Sequence, residues 1–115
     1  MRRSGEFAET IRSGTRSAGR YLVVHVFRAP DPTPADKARV GFVVSRAVGG
    51  AVQRNRVRRR LRAVMAPIST GLPDDARVVV RARPPAARAT FQELQQDVHS
   101  QMARAMRRAG AGSWS

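Results

Sequence analysis

At 115 residues the chain has room for one domain with one modest core, and 22 basic residues against 8 acids leave a net charge of +14. Cysteine is absent, which excludes disulfides, zinc knuckles and thiol catalysis, and no apolar run reaches the roughly 20 residues that span a bilayer. So large an excess of positive charge opposes compaction and calls for an anionic partner, nucleic acid before a membrane surface; without a signal-like apolar segment behind the basic start, a cytoplasmic protein is expected.

The elements follow in chain order. Residues 4–12 form a short helix, with Ser4 as candidate N-cap and Phe7 and Ile11 four apart on one face. Gly14 ends it. Residues 20–28 (RYLVVHVFR) are β-branched and aromatic, hence a strand. Leu22, Val24 and Val26 point one way; Tyr21, Val23, His25 and Phe27 point the other. Residues 29–38 carry three prolines and form a loop. Residues 39–45 (RVGFVVS) make a second strand, antiparallel to the first across that loop. Gly49-Gly50 allows a tight turn into a helix that Pro67 ends by restricting Ala66. Residues 76–82 (ARVVVRA) are a third strand, apolar enough to be buried on both faces. Pro84-Pro85 breaks it. Thr90-Phe91-Gln92-Glu93 is a capping box, opening a helix to about Ala109 with Phe91, Leu94, Val98, Met102 and Ala105 near one face. Residues 1–109 make the single domain and 110–115 a disordered tail. The order predicts an α/β two-layer sandwich with helices mainly on one face of the sheet and the other face open to a ligand.

Residues 51–62 (AVQRNRVRRRLR) carry the most information, since six of the nine residues 54–62 are arginine. With Val57 at zero and about 100° per residue, Leu61, Val64 and Met65 fall within roughly 80°, a stripe that faces a core. Asn55, Arg58, Arg59 and Arg62 fall between about 100° and 200°, on the opposite face, while Arg54 and Arg60 flank the stripe. An ordinary solvated helix face interleaves its charges with acids for (i, i+4) pairing. Between Glu9 and Asp74 the only acids are Asp31 and Asp36, both in the proline loop. These arginines therefore repel one another, and nucleic-acid phosphates are the natural counter-charge. A helix-turn-helix reader needs a helix just before the recognition helix; here a strand precedes it. The preference for arginine over lysine owes more to genomic composition, which the 18 alanines also reflect, than to the forked guanidinium.

No catalytic constellation stands out. His25 and His99 are far apart in the chain, and there are no paired carboxylates, no Ser/His/Asp set and no phosphate-cradling glycine loop. Asn55 is a poor mid-helix residue and is placed either to cap the first turn or to meet an RNA hydroxyl or hydrated magnesium, the wheel favouring RNA. His99 and Trp114 have no role assigned.

The run RVGFVVSR at residues 39–46, followed by GGAVQRNRVRR at 49–59, resembles the signature of the protein subunit of bacterial ribonuclease P. Arg54, Asn55 and Arg56 match its Arg-Asn-Arg, Arg58 and Arg59 the basic pair after it, and Arg62 the later arginine. The likeness covers most of the chain from Arg2 to about Arg108. It implies an α-β-β-β-α-β-α ribosomal-protein-like fold, a four-stranded sheet with a short extra strand near residues 14–17 and a left-handed crossover through the arginine helix, against the usual handedness.

The resemblance further implies that the protein assists a catalytic RNA, one that cuts the 5′ leader from precursor tRNA. The RNA performs hydrolysis with Mg2+, which it mainly holds, so no protein residue is catalytic or a metal ligand. Arg46, Arg54, Asn55, Arg56, Arg58, Arg59 and Arg62 would bind the catalytic RNA; Phe7, Ile11, Val23 and His25 would line the leader cleft. Ile11 stands where the family has a second aromatic, and His25 where it has one on the strand; Phe7 and Ile11 could equally pack into a core. Ala47 replaces a lysine, removing one phosphate contact. The expected assembly is a protein monomer in a 1:1 complex with the RNA, away from membranes. The rivals are a ribosomal or general RNA-binding module without a part in cleavage, and a basic peripheral membrane protein.

Overall fold

A computed structural model describes residues 4–30, 34 and 36–110. Its elements are α1 (Ser4–Ser13), β1 (Thr15–Ala18), β2 (Leu22–Arg28), β3 (Arg39–Val43), α2 (Ala51–Ser69), β4 (Ala76–Ala82) and α3 (Phe91–Arg108), with short 3-10 helices at Arg46–Val48 and Pro84–Arg88. The order α-β-β-β-α-β-α is the expected one, and the strands form one mixed sheet in the order β1-β2-β4-β3.

β4 takes the centre because it is the strand whose residues are apolar on both faces; Val78, Val79 and Val80 are all fully buried. It pairs antiparallel with β2, from Leu22↔Ala82 to Arg28↔Ala76, and parallel with β3, from Arg39↔Arg77 to Val43↔Arg81. Thus β3 runs opposite to β2 as expected but does not lie beside it. β4 is inserted between them, a placement that the 29–38 loop is long enough to permit and that local pattern does not reveal.

One sheet face carries Leu22, Val24, Val26, Ala76, Val78, Val80 and Ala82, and the apolar stripes of α2 and α3 close over it. From α2 come Val57, Leu61, Val64, Met65 and Ile68; from α3, Leu94, Val98, Met102, Ala105 and Met106. Each large apolar side chain among them, fully buried, contributes about 1.5–3 kcal/mol. The α3 layer is also stitched by polar groups: Thr15 Oγ1 donates to Ala105 O at 2.8 Å, and Ser17 Oγ to Gln101 Oε1 at 2.5 Å. Gln101 Nε2 in turn donates to Asp97 Oδ1, and Asp97 Oδ2 accepts the Tyr21 N–H of the β1–β2 turn at 2.8 Å. Gly19 makes that approach possible, since a Cβ there would collide with the Asp97 carboxylate.

Two further expectations need correction. Pro67 does not end α2, which continues to Ser69. The proline falls in the last turn, where few backbone bonds remain to be broken; Ile68 beyond it is buried, and Ser69 Oγ and Thr70 Oγ1 donate to the carbonyls of Met65 and Pro67. Nor is the second sheet face open. Phe7 lies against Gly41, where a Cβ would strike its ring, so α1 covers much of that face. The glycine inside β3 is what lets the helix approach. The tail expected at 110–115 lies outside the described residues beyond Gly110.

The capping box of α3 forms as expected: Thr90 Oγ1 accepts from Glu93 N at 3.1 Å and Glu93 Oε1 from Thr90 N at 2.9 Å. Thr90→Ala should therefore lower unfolding stability by about 1 kcal/mol, measured as a shift of the urea midpoint at unchanged slope. Asn55, five residues into α2 and exposed, makes no cap; Asn55→Ala should leave that midpoint in place or raise it slightly.

Candidate nucleic-acid interface

Burial of the α2 stripe determines where the arginines go. Asn55, Arg56, Arg59 and Arg62 are exposed; Arg54 and Arg58 are half-buried, their stems running along the protein surface. Arg46, on the short helix before α2, is exposed as well. The ion pairs among the described residues are Arg28–Asp75 (3.0 Å), Lys37–Asp74 (3.6 Å) and Arg39–Glu6 (2.5 Å), and none involves an α2 arginine. The guanidiniums of Arg56, Arg59 and Arg62 thus face solvent without an acid to neutralise them, while the Arg54 Nε is buried without a hydrogen-bond partner among the described residues. Arg60 is the exception in direction: it turns toward the segment just before α3, where its Nη1 donates to Ala89 O at 2.9 Å. The first turn of α2 is held by Gly50 N–H donating to Gln53 Oε1 at 3.0 Å, which leaves Asn55 free to face outward.

Two shallow hollows share this helix. One, about 370 Å³, is walled by Asn55, Arg58, Arg59 and Arg62. The other, about 260 Å³, lies at the β3 edge between Phe7 and Arg58 and Arg62, with Val40, Gly41 and Phe42 as its floor. Arg58 and Arg62 belong to both, so the basic face of α2 runs without interruption to the aromatic ring of α1. Phe7 and the arginines, expected to serve two separate sites, meet at one edge. Sequence reasoning does not find the part played by Val40, Gly41 and Phe42. Its one available signal is Gly41, because a glycine within a strand marks a close approach.

The remaining cleft candidates divide. Ile11 is 38% exposed, whereas Val23 and His25 are 4% and 2% exposed. Val23 and His25 share the expected strand face, but with that face covered neither offers a surface on which a base could stack. Arg16 and Val79 flank His25 across the strands. Neither imidazole nitrogen has a hydrogen-bond partner among the described residues, and the Thr10 hydroxyl, also buried, has none. Burial, and then the charges of Arg81 and Arg16, hold the His25 pKa below its ordinary value. The ring is therefore neutral at pH 7.

Among the described residues no three or more His, Asp or Glu side chains gather in a group that could hold a metal ion, and no helix is long and apolar enough to cross a membrane.

A basic helix clamped by its apolar stripe over a mixed four-stranded sheet, with an aromatic ring at the sheet edge, defines a small α/β protein of the ribonuclease P protein fold. The family profile described as Ribonuclease P matches residues 1–106. The ribonuclease P protein component of Beutenbergia cavernae is 56% identical over 98 residues, covering 85% of this chain and 80% of the relative. That of Kocuria rhizophila is 49% identical, covering 94% and 92%. The RNase P protein of Staphylococcus aureus, solved at 25% identity, superposes with a TM-score of 0.77 over 91% of this chain and 93% of that one. The Thermotoga maritima protein, at 24% identity, shares the fold with a TM-score of 0.71 over 85% and 89%. The chain belongs to the ribonuclease P protein family.

The buried imidazole generates a pH test. The unfolded chain binds the His25 proton at its ordinary pKa of 6.5, while the folded chain resists it. Stability contributed by the neutral ring is complete above that value and falls as the pH drops through it, levelling off below the folded pKa. Urea melts at about pH 7.5 and about pH 5.5 should show a lower midpoint at the acidic value, and His25→Leu should flatten that difference. An equal drop in the variant would place the acid sensitivity elsewhere.

Proposed function

We propose that this chain is the protein partner of a ribonuclease P RNA, holding that RNA on the arginine face of α2 and the 5′ leader of precursor tRNA along the β3 edge beside Phe7. What carries the proposal is the set of unpaired guanidiniums on α2, continuous through Arg58 and Arg62 with an aromatic ring. Phosphates supply the missing counter-charge, and their binding releases condensed counterions. Arg46, Arg54, Arg56 and Arg59 extend the phosphate contacts, and the outward Asn55 amide is placed to meet a ribose 2′-OH.

The leader, being single-stranded, offers unstacked bases, and Phe7 offers a flat face for one. Ile11 contributes apolar surface beside it. In this proposal Val23 and His25 support the cleft from beneath, their burial keeping them from direct contact. The chemistry belongs to the RNA, with Mg2+ on its phosphates; among the described residues the carboxylates of Glu6, Asp74 and Asp75 are already in ion pairs. The assembly is one protein to one RNA, in the cytoplasm.

The deciding experiment adds the full chain to a bacterial ribonuclease P RNA at low magnesium, with precursor tRNA as substrate. Cleavage at the mature 5′ end that needs the protein is expected; RNA binding without any gain in cleavage would favour a general RNA-binding module. Arg58→Ala combined with Arg62→Ala should weaken RNA affinity and lower the slope of log affinity against log salt by roughly 0.7–0.9 for each phosphate no longer neutralised. Phe7→Ala should weaken binding of precursor more than of mature tRNA by the assembled enzyme. Base stacking of this kind is worth about 1–3 kcal/mol, or roughly 5- to 150-fold. Equal losses on the two ligands would reduce Phe7 to a packing residue.

A further inference from the structure

A hollow of about 760 Å³ lies not on the outward face of α2 but beside its N-terminal end. It is walled by Arg20 and Tyr21 from the β1–β2 turn, by Pro84, Pro85 and Arg88 from the segment after β4, and by Ala47 from the short helix before α2. Its volume is within the range of small-ligand sites.

The chemistry of the walls is specific. Arg20 and Arg88 are not in an ion pair among the described residues. The one acid in the wall, Glu93, has both oxygens engaged, Oε1 by Thr90 N–H and Oε2 by the Tyr21 hydroxyl at 2.7 Å. It anchors Tyr21, and its pKa is held low by the hydrogen bonds from Thr90 and Tyr21 and, less strongly, by the charge of Arg20, with which it forms no ion pair. The Arg20 guanidinium sits 5.3 Å from the centre of the Tyr21 ring, a stacked pair that presents a flat, charged surface. Pro84 and Pro85 add an apolar wall whose backbone is stiff. Ala47 has too short a side chain to fill the space. Flat rings, rigid apolar walls and forked cations are what a nucleotide requires: base against the walls, phosphate on the guanidiniums. Gln53, on the first turn of α2, also lines the hollow, so the site adjoins the arginine face.

We propose that this hollow seats one nucleotide, its phosphate taken by Arg20 and Arg88 and its base held against Tyr21 and the proline pair, so that bound RNA wraps around the N-terminal end of α2. This rests on the RNA-binding role proposed above. The nucleotide could come from the ribonuclease P RNA or from precursor tRNA, and the two sources are separable by experiment.

The test uses the full chain carrying Arg20→Gln with Arg88→Gln and, separately, Ala47→Trp, which fills the hollow without removing charge. Affinity for ribonuclease P RNA is measured across a salt series, then affinity of the assembled enzyme for precursor tRNA. Urea midpoints check that each variant is folded. The double variant should bind about tenfold more weakly, with the salt slope lower by roughly 0.7–0.9 for the one phosphate no longer neutralised. Ala47→Trp should also weaken binding, at unchanged slope. Weakening in the first measurement assigns the nucleotide to the ribonuclease P RNA; weakening confined to the second assigns it to the substrate. Two outcomes overturn the proposal: both variants matching wild type, or the arginine variant weakened while Ala47→Trp is not, which would make Arg20 and Arg88 diffuse charge around an unused hollow. Arg58→Ala with Arg62→Ala, run alongside, separates the two proposals. If it loses affinity while the hollow variants do not, the α2 interface stands and the nucleotide seat fails; if none loses affinity, both fail.

Discussion

The burial of one apolar stripe on α2 sets the terms for the rest of the molecule. Six arginines in nine residues without an intervening acid repel one another. At about 6 Å in a water-like medium each neighbouring pair costs on the order of 1 kcal/mol, less once salt screens it. Val57, Leu61, Val64, Met65 and Ile68 are each buried to 8% exposure or less, and five such side chains contribute on the order of 10 kcal/mol. Packing therefore wins, and the helix is held in the one rotation that leaves the guanidiniums outward. An RNA that binds this face removes the residual repulsion, so affinity and protein stability rise together.

The two layers around the sheet are bonded unequally. On the α3 side, Ser17, Gln101, Asp97 and the Tyr21 N–H form a connected chain of hydrogen bonds, and Tyr21 reaches Glu93 through its hydroxyl. On the α1 side, the buried polar atoms of Thr10 and His25 have no partner among the described residues. The ion pair between Arg39 and Glu6 helps hold α1 at the edge, but those side chains are partly solvated, and such pairs contribute little. The α1 layer is thus the less firmly held of the two, and it is the layer that adjoins the proposed leader site.

Where a pattern is local, it can be read from the chain. The α2 stripe, the Thr90–Glu93 capping box and the two-faced burial of β4 all depend on residues within a few positions of one another, and all form as expected. The insertion of β4 between β2 and β3 depends on pairing across 38 to 60 residues, which no local period records. The covering of His25 has the same origin. Alternation along β2 correctly puts it on the face opposite Leu22, but only the docking of α1 through Gly41 decides that this face is closed. Pro67 departs from expectation for a different reason: the rule that proline ends a helix weakens in the last turn, where Ile68 still has a core to reach. The hollow beside α2 is unreadable in the sequence because Arg20, Ala47 and Arg88 come from three separate segments.

The breadth of the arginine arc bears on how one small protein could serve two RNA strands. A strand would place alternate arginines in a flat row on one face. A helix rotates each by about 100°, so the same six residues spread over more than half of its circumference, from Arg54 beside the core to Arg60 against Ala89. No single backbone groove meets them all. Arg58 and Arg62 face the β3 edge and Phe7, Arg59 points outward, and Arg60 closes against Ala89. On the proposed function, one buried stripe thereby orients guanidiniums toward two neighbouring surfaces at once. The ribozyme and the leader it must hold would then be registered by the same helix, with no moving part between them.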